Sequence, residues 1–410
     1  MLTVTAEGKS SSLLQEKRRG PAIWLVLDLD PKKRGSMEQQ LLALAARLRD
    51  DGAQATFVFN RPAPAWLHDG LRDRGVDVRV LDFRHPAKAA FHFLGWVSVA
   101  RPDLVHFHFV RAYSPLIAIA HAAGARVILH DHMTLGQPVI PVRRRSRVEQ
   151  QLVLGYKRAR ASLLNRLIDL RVAVSRFVAD SVRESEHCDG GRQRVVENGV
   201  DLSRFLTADG APLRAELRAE KRPVIVCISR LTPDKGVDVL IRALAGVGRD
   251  ALLLVVGDGF EEGKYRALAA ALGLQDHVRF LGVRNDVERV LAAADVVVTP
   301  SLWDEAFGLS VVEAMASGRP VVVTRAGAMP ELVDEGRCGL IVPKGDDVAL
   351  AGAIGRLLDD PALAARLGQA GQERARQSYG LQTFLDRMSA VYRTLVPSLR
   401  APFGLPAVAA

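Results

Sequence analysis

The sequence predicts an α/β protein of two doubly wound, Rossmann-like domains facing a central cleft, and three observations predict it. Short Val/Ile/Leu-rich runs alternate with helix-length stretches, the alternation restarts past the middle of the chain, and 410 residues with 48% hydrophobic content suffice for two cores of ordinary size. In the first series Ile23–Leu29, Gln54–Asn60, Val76–Asp82, Leu104–His108, Arg126–His130 and Arg171–Val174 read as strands. Strands so continuously apolar suit a parallel sheet covered on both faces, which places ligands at the carboxyl ends of the strands.

A polar stretch, Leu206–Arg222, leads through Pro223 into the second series: Val224–Ser229, Leu252–Gly257, Val278–Gly282, Val296–Thr299, Val321–Thr324 and Leu340–Pro343. Between these strands Val237–Leu244, Gly263–Leu272, Asn285–Ala293 and Asp346–Leu358 have helical apolar spacing, and Leu381–Val396 reads as one closing helix. The expected layout is a loose tail over 1–20, a first domain over 21–205, a linker over 206–222 and a second domain over 223–380. A helix over 381–400 is expected to return to the first domain, with a tail over 401–410.

No apolar run approaches the roughly 18–20 residues that a bilayer core requires. Cys188, Cys227 and Cys338 have no CxxC spacing, and the first thirty residues lack a secretory pattern, so the expectation is a reducing, cytoplasmic setting. The net charge of +10 lies wholly in the first half, where residues 1–206 hold 32 Lys/Arg against 21 Asp/Glu. The basic amphipathic stretch Arg143–Asp169 is part of it. Such an excess points to an acidic partner: an anionic surface on the inner membrane face, or a phosphorylated or polyanionic substrate. Nucleic acid is not expected, because no recognition motif accompanies the charge.

Several weaker patterns lead elsewhere. Gly257-Asp258-Gly259 is followed next by Gly263, which misses the dinucleotide fingerprint, and Gly263-Lys264-Tyr265 lacks the frame of a phosphate-binding P-loop. Asp28-Leu29-Asp30 has the form of a metal-binding DxD. His106 and His108 share a strand face, with His130 ending the next strand, so a metal-dependent hydrolase built on these three histidines is an alternative reading.

The richest stretch is Pro300–Pro320, which follows a strand and leads into a short helix. Glu305 falls in the loop, Gly308 lets the backbone approach a ligand, and free amides at the helix start favour an anion such as a diphosphate. Glu313, a turn into the helix, suits a sugar's hydroxyls. The competing structural reading is that Ser310-x-x-Glu313 is a capping box, with Glu313 reaching back to the helix start. Arg230 and Lys235, on the same ligand-facing edge after the domain's first strand, supply two cations for a pyrophosphate.

Together, Arg230 with Lys235-Gly236, Gly257-Asp258-Gly259, Phe280-Leu281-Gly282, Glu305 through Ser310 and Glu313 resemble the retaining GT-B glycosyltransferases of glycosyltransferase family four. Weaker echoes extend into Arg101–His108, Val174-Ser175 and Glu197–Phe205. The resemblance implies a metal-independent hexosyl- or glycosyltransferase of the EC 2.4 class. It would move a sugar from a nucleoside-diphosphate sugar to an acceptor hydroxyl with retention, and it needs no cofactor. By the same resemblance Arg230 and Lys235 hold the donor diphosphate, Glu305 contacts the donor sugar, Glu313 binds the ribose, and the amides of Phe307, Gly308 and Leu309 complete the pocket. Gly257 belongs to the donor site, Val283 and Arg284 lie along the base, Gly35 and Ser36 approach the phosphate, and His130 stands in the cleft near the sugar. The family's usual paired glycines are here Arg34-Gly35. A GT-B-like epimerase or phosphorylase remains an alternative. The acceptor, whether glycan, lipid-linked or small molecule, is expected to meet first-domain loops at Arg84–Phe93 and Met133–Val142.

Overall fold

A computed structural model describes residues 20–31, 35–133, 163–186, 188, 190–248 and 250–400. Its first sheet has seven parallel strands: β1 (Ala22–Leu27), β2 (Gln54–Phe59), β3 (Asp77–Val80), β4 (Leu104–His108), β5 (Arg126–Asp131), β6 (Leu170–Ala173) and β7 (Gln193–Val195), in the order β3-β2-β1-β4-β5-β6-β7. The second has six: β8 (Val224–Ile228), β9 (Leu252–Val256), β10 (Val278–Gly282), β11 (Val296–Thr299), β12 (Val321–Thr324) and β13 (Leu340–Val342), in the order β10-β9-β8-β11-β12-β13. Every pairing between these strands is parallel, and in each sheet the order reverses beside the first strand, the switch point where open α/β sheets bind ligands.

The unbroken apolar strands follow from burial on both faces. Ile23, Leu25 and Leu27 of β1 pack with helices Ser36–Asp50 and Leu381–Leu395, while Trp24 and Val26 pack with helices Pro86–Ala100 and Pro115–Ala122 on the other side. In the second domain Ile225 and Cys227 face helix Val237–Gly246, and Val224 and Val226 face helix Leu309–Ala316. The closing helix Leu381–Leu395 buries Phe384, Met388 and Tyr392 against the first sheet. A parallel bridge ties it there: Val200 N–H donates to Tyr379 O and Leu381 N–H to Val200 O, both at 2.9 Å.

The structure departs from the sequence reading at identifiable places. The sequence pattern does not announce β7, because Gln-Arg-Val is only three residues of an edge strand and carries too little apolar pattern. Helix Pro361–Ser378 is likewise not announced. It starts on an Asp360 cap whose carboxylate accepts from Leu363 N at 2.9 Å, but Gly368 and Gly371 interrupt its apolar stripe. Gly368 is needed there, since a Cβ would lie 2.2 Å from the carbonyl of Gly318. The expected loop Arg84–Phe93 is largely the first half of helix Pro86–Ala100. The tails 1–19 and 401–410, most of Met133–Val142, and residues 143–162 of the basic stretch lie outside the described residues. No helix among the described residues is long and apolar enough to cross a membrane.

Candidate active site

The second domain builds its part of the site from two turns packed together. Pro233–Lys235 forms one 3-10 turn after β8, and Gly236 ends it at φ 66°, where a Cβ would stand 2.1 Å from the carbonyl of Pro300. That close approach lets Leu302 N–H and Trp303 N–H donate to Asp234 O at 2.9 and 3.0 Å. The loop 301–308 is fixed from its other side by Thr324, whose hydroxyl donates to Ser301 O at 2.5 Å, and by Ala328 N–H, which donates to Glu305 O at 2.8 Å.

These supports bring Lys235 to Glu305. Lys235 Nζ lies 2.5 Å from Glu305 Oε1, and the hydroxyl of the buried Ser301 donates to the same oxygen at 2.7 Å. Both charged side chains are largely enclosed, at 14% and 19% exposure, so neither charge is well solvated without the other. Arg230 differs: its side chain is 66% exposed and, among the described residues, pairs with Asp234 alone, at 3.7 Å. It is the more available cation at this edge.

Helix Leu309–Ala316 begins at Gly308, which has φ 116° and whose missing Cβ would meet Met329 Cε at 2.4 Å. The amides of Phe307, Gly308 and Leu309 have no acceptor among the described residues, as expected of a helix start able to receive an anion. The side chain of Phe307 itself is buried edge-on against Tyr379, with ring centroids 5.8 Å apart, so only its backbone faces a ligand. Ser175 Oγ donates to Ala306 O at 2.7 Å, and Glu331 accepts from Arg176 N and Phe177 N at 2.9 and 2.5 Å; both contacts fasten the first domain to this loop region.

The capping-box reading of Ser310-x-x-Glu313 is not what the structure shows. No side chain caps the helix, and Glu313 instead accepts from Ser36 Oγ of the facing domain at 2.5 Å. Burial pushes the Glu313 carboxyl up to about 7, against the opposing pull of the Ser36 hydrogen bond and the Arg204 charge. Ser36 is positioned by helix Ser36–Asp50, whose start is closed by Gly35 N–H donating to Glu38 Oε2 at 3.1 Å.

A cavity of about 200 Å³ lies between the two sheets' carboxyl edges. Gly35 and Ser36 line it from the first domain; Arg230, Gly257, Val283, Arg284 and Glu313 line it from the second. Gly257, at φ 130°, passes so near the β8 turn that a Cβ would lie 2.0 Å from Ser229 O. Arg284 is held by a two-pronged pair with Asp286, at 2.8 and 2.7 Å, which orients the cavity's outer wall. A larger cavity of about 720 Å³ sits at the amino ends of the second sheet's strands among Arg214, Arg222 and Arg319. None of the expected site residues lines it, so the smaller cleft is the candidate site.

Arg204 was not singled out as a site residue, although the Glu197–Phe205 stretch contains it. It lines the cleft, pairs with Glu288 at 2.6 Å and favours ionisation of Glu313. Lys235, Glu305, Phe307, Gly308, Leu309 and His130 are not among the residues that line this cavity. His130 is buried in a stack with His106, His108 and His132, and neither of its ring nitrogens has a partner among the described residues. His106, His108 and His130 bring ligand atoms within 4.8 Å of one another. The rings of His106 and His130 are parallel to within 6°, with centroids 5.2 Å apart. Burial holds the four rings neutral, and His106 Nδ1 is 2.8 Å from the Tyr392 hydroxyl. In the DxD, Asp28 accepts from Asn60 at 2.9 Å and Asp30 faces Arg61 at 3.6 Å.

Comparison with known proteins agrees with this arrangement. The family described as "Glycosyl transferases group 1" matches residues 212–374, and "Glycosyltransferase Family 4" matches residues 37–204. A GDP-mannose-dependent alpha-(1-6)-phosphatidylinositol monomannoside mannosyltransferase of Mycobacterium tuberculosis is 30% identical over 90% of this chain and 98% of its own length. A D-inositol 3-phosphate glycosyltransferase of Salinispora tropica is 37% identical over 51% of this chain, which spans 47% of that protein. Among solved structures, Anabaena HepE in complex with UDP-glucose superimposes with a TM-score of 0.74 at 25% identity, covering 91% of this chain and 99% of that one. A glycosyltransferase from Rickettsia africae gives 0.77 at 21% identity, covering 92% and 99%. Two parallel sheets meeting at a cleft, matches across both domains and a relative aligned over nearly its whole length lead to one conclusion: the chain belongs to glycosyltransferase family 4 and is a GT-B glycosyltransferase.

Proposed function

We propose that the enzyme takes a nucleoside-diphosphate sugar into the 200 Å³ cleft and passes the sugar to an acceptor hydroxyl with the anomeric configuration retained, using no metal ion. The observation that carries the reading is the Lys235–Glu305 pair, at 2.5 Å, beside the unpartnered amides of Phe307–Leu309. As the glycosidic bond breaks, negative charge grows on the leaving diphosphate. Donors fixed in advance at that position act most strongly in the transition state. Arg230 and Lys235 are the cations at this edge, and the diphosphate competes with Glu305 for Lys235. Glu305, once released, accepts hydrogen bonds from the donor sugar, and Glu313 accepts from the ribose in place of Ser36. In this reading Gly257, Val283 and Arg284 lie along the nucleotide, and the buried His130 supports the first-domain side from beneath without lining the cleft.

The Mycobacterium tuberculosis relative is named for a phosphatidylinositol monomannoside acceptor, and this supports a lipid-linked acceptor here, reached by peripheral contact with the anionic inner face of a cytoplasmic membrane. The basic first half is consistent with that contact. The test is product analysis: with donor and acceptor extracts, NMR of the purified product should show the donor's own anomeric configuration at the new linkage. An inverted linkage would remove the retaining mechanism. Donor turnover that leaves an isomerised nucleotide sugar and no acceptor product would identify an epimerase instead.

A further inference from the structure

Helix Pro86–Ala100 is apolar on its outer face as well as its inner one. Ala89, Phe93 and Val97 are buried against the sheet, and Phe91, Leu94 and Val99 stand on the solvent side at 75%, 49% and 87% exposure. Ala87, His92, Gly95 and Ser98 are exposed as well, and Lys88 is the one lysine, arginine or carboxylate residue of the helix. A helix with apolar residues all round is normally enclosed by protein or lipid, and an exposed apolar stripe on a folded domain marks an interaction site.

The surrounding charge narrows the partner. From Phe83 to Pro102 the chain carries Arg84, Lys88 and Arg101, with His85 and His92, and has no carboxylate. Arg84 is engaged with Asp82 at 2.8 Å; Lys88 extends from the helix's exposed side. A second copy docked face to face would bring the two Lys88 charges together with no acidic group to meet them. An anionic lipid surface accepts both features, with Phe91, Leu94 and Val99 in the headgroup–acyl boundary and Lys88 at the headgroups. The helix follows β3, and its first turn lies past the carboxyl end of that strand, the end of the sheet at which Gly35 and Ser36 also lie.

We propose that the exposed face of helix Pro86–Ala100, centred on Phe91 with Leu94, Val99 and Lys88, is the surface by which the enzyme docks on an anionic membrane. The inference deepens the membrane-associated reading above. Its test is co-sedimentation of the full chain with phosphatidylcholine vesicles, with and without phosphatidylglycerol, at low and high salt. Binding is expected only where phosphatidylglycerol is present and is expected to weaken with salt. Phe91→Gln/Leu94→Gln/Val99→Gln together should weaken it by about tenfold or more, and Lys88→Glu should reduce its salt sensitivity. Circular dichroism and calorimetric affinity for nucleoside diphosphate should be unchanged in these variants, because none of the four lines the donor cleft. Binding to anionic vesicles that the triple substitution leaves intact would overturn the assignment. So would absence of binding by the wild type, or concentration-dependent dimerisation that the triple substitution abolishes. Loss of donor turnover in the wild type would instead count against the transferase reading and leave the docking result standing.

Discussion

Ser36 donates its hydroxyl to Glu313 across the cleft at 2.5 Å, joining residues 277 positions apart and closing the two domains over the candidate ribose site. The carboxylate proposed for the ribose is therefore held by the first residue of the facing helix. Its burial disfavours the charged form, which lifts its pKa to about 7. Ribose hydroxyls are better acceptor-seeking partners for an ionised carboxylate than for a protonated one. Donor affinity should rise with pH through about 7. Calorimetric titration with nucleoside diphosphate across that range measures it. Glu313→Gln should bind about 10- to 100-fold more weakly at high pH, the loss of a charge-assisted hydrogen bond, and show no such rise. Ser36→Ala should move the midpoint upward, since the Ser36 bond holds the pKa down.

Stability follows the opposite sign. Unfolded, this carboxyl titrates near its ordinary 4.5; folded, it keeps its proton to about 7. Between those values the native state binds more protons than the unfolded state, so this group favours folding at acid pH and that contribution is lost as pH rises from about 4.5 to about 7. Melting temperatures of wild type and Glu313→Gln, measured without nucleotide, should therefore diverge in favour of the variant as pH rises through that window. A variant less stable than wild type above neutrality would show that Glu313 stabilises the fold through its charge.

Lys235 and Glu305 should behave as a unit. Removing Lys235 leaves a largely enclosed carboxylate with only Ser301 to satisfy it, so Lys235→Ala should lower both stability and turnover. Adding Glu305→Ala should recover part of the stability and none of the turnover. Double-mutant cycles on unfolding and on kcat/KM separate the two, with a coupling on stability in the range of about 0.5–3 kcal/mol.

Gly308→Ala tests the backbone at the start of helix Leu309–Ala316. An alanine there must hold φ near 116° and displace Met329, whose Cε lies 2.4 Å from the new Cβ. Strain and overpacking together should cost about 2 kcal/mol or more, read as a lower denaturation midpoint, with turnover reduced as the Phe307–Leu309 amides shift. Shortening Met329 to alanine in the same chain should relieve the clash and leave the φ penalty.

Much of this is legible in sequence because burial on both faces writes itself into a strand: β1, β8 and β9 are apolar at every position. β7 is not legible because a three-residue edge strand is specified by the neighbour it pairs with. The loop holding Glu305 and Gly308 could be placed after β11 from pattern alone, and Gly308 could be seen as a backbone requirement. The partner of Glu313 could not. Its local spacing fits a capping box, and only the facing of two domains supplies Ser36. Arg204 was obscured for the same reason, as its role depends on Glu288 and Glu313, far along the chain.

The most direct test of the donor site is nucleoside-diphosphate release from a panel of UDP-, GDP-, ADP- and TDP-sugars, with and without chelator, by wild type and Lys235→Ala. One donor should be turned over, chelator should leave the rate unchanged, and Lys235→Ala should lose about 2–4 kcal/mol of transition-state stabilisation. Turnover abolished by chelator, or a Lys235→Ala enzyme within about twofold of wild type, well short of that loss, would contradict a metal-independent site built on the Lys235–Glu305 pair.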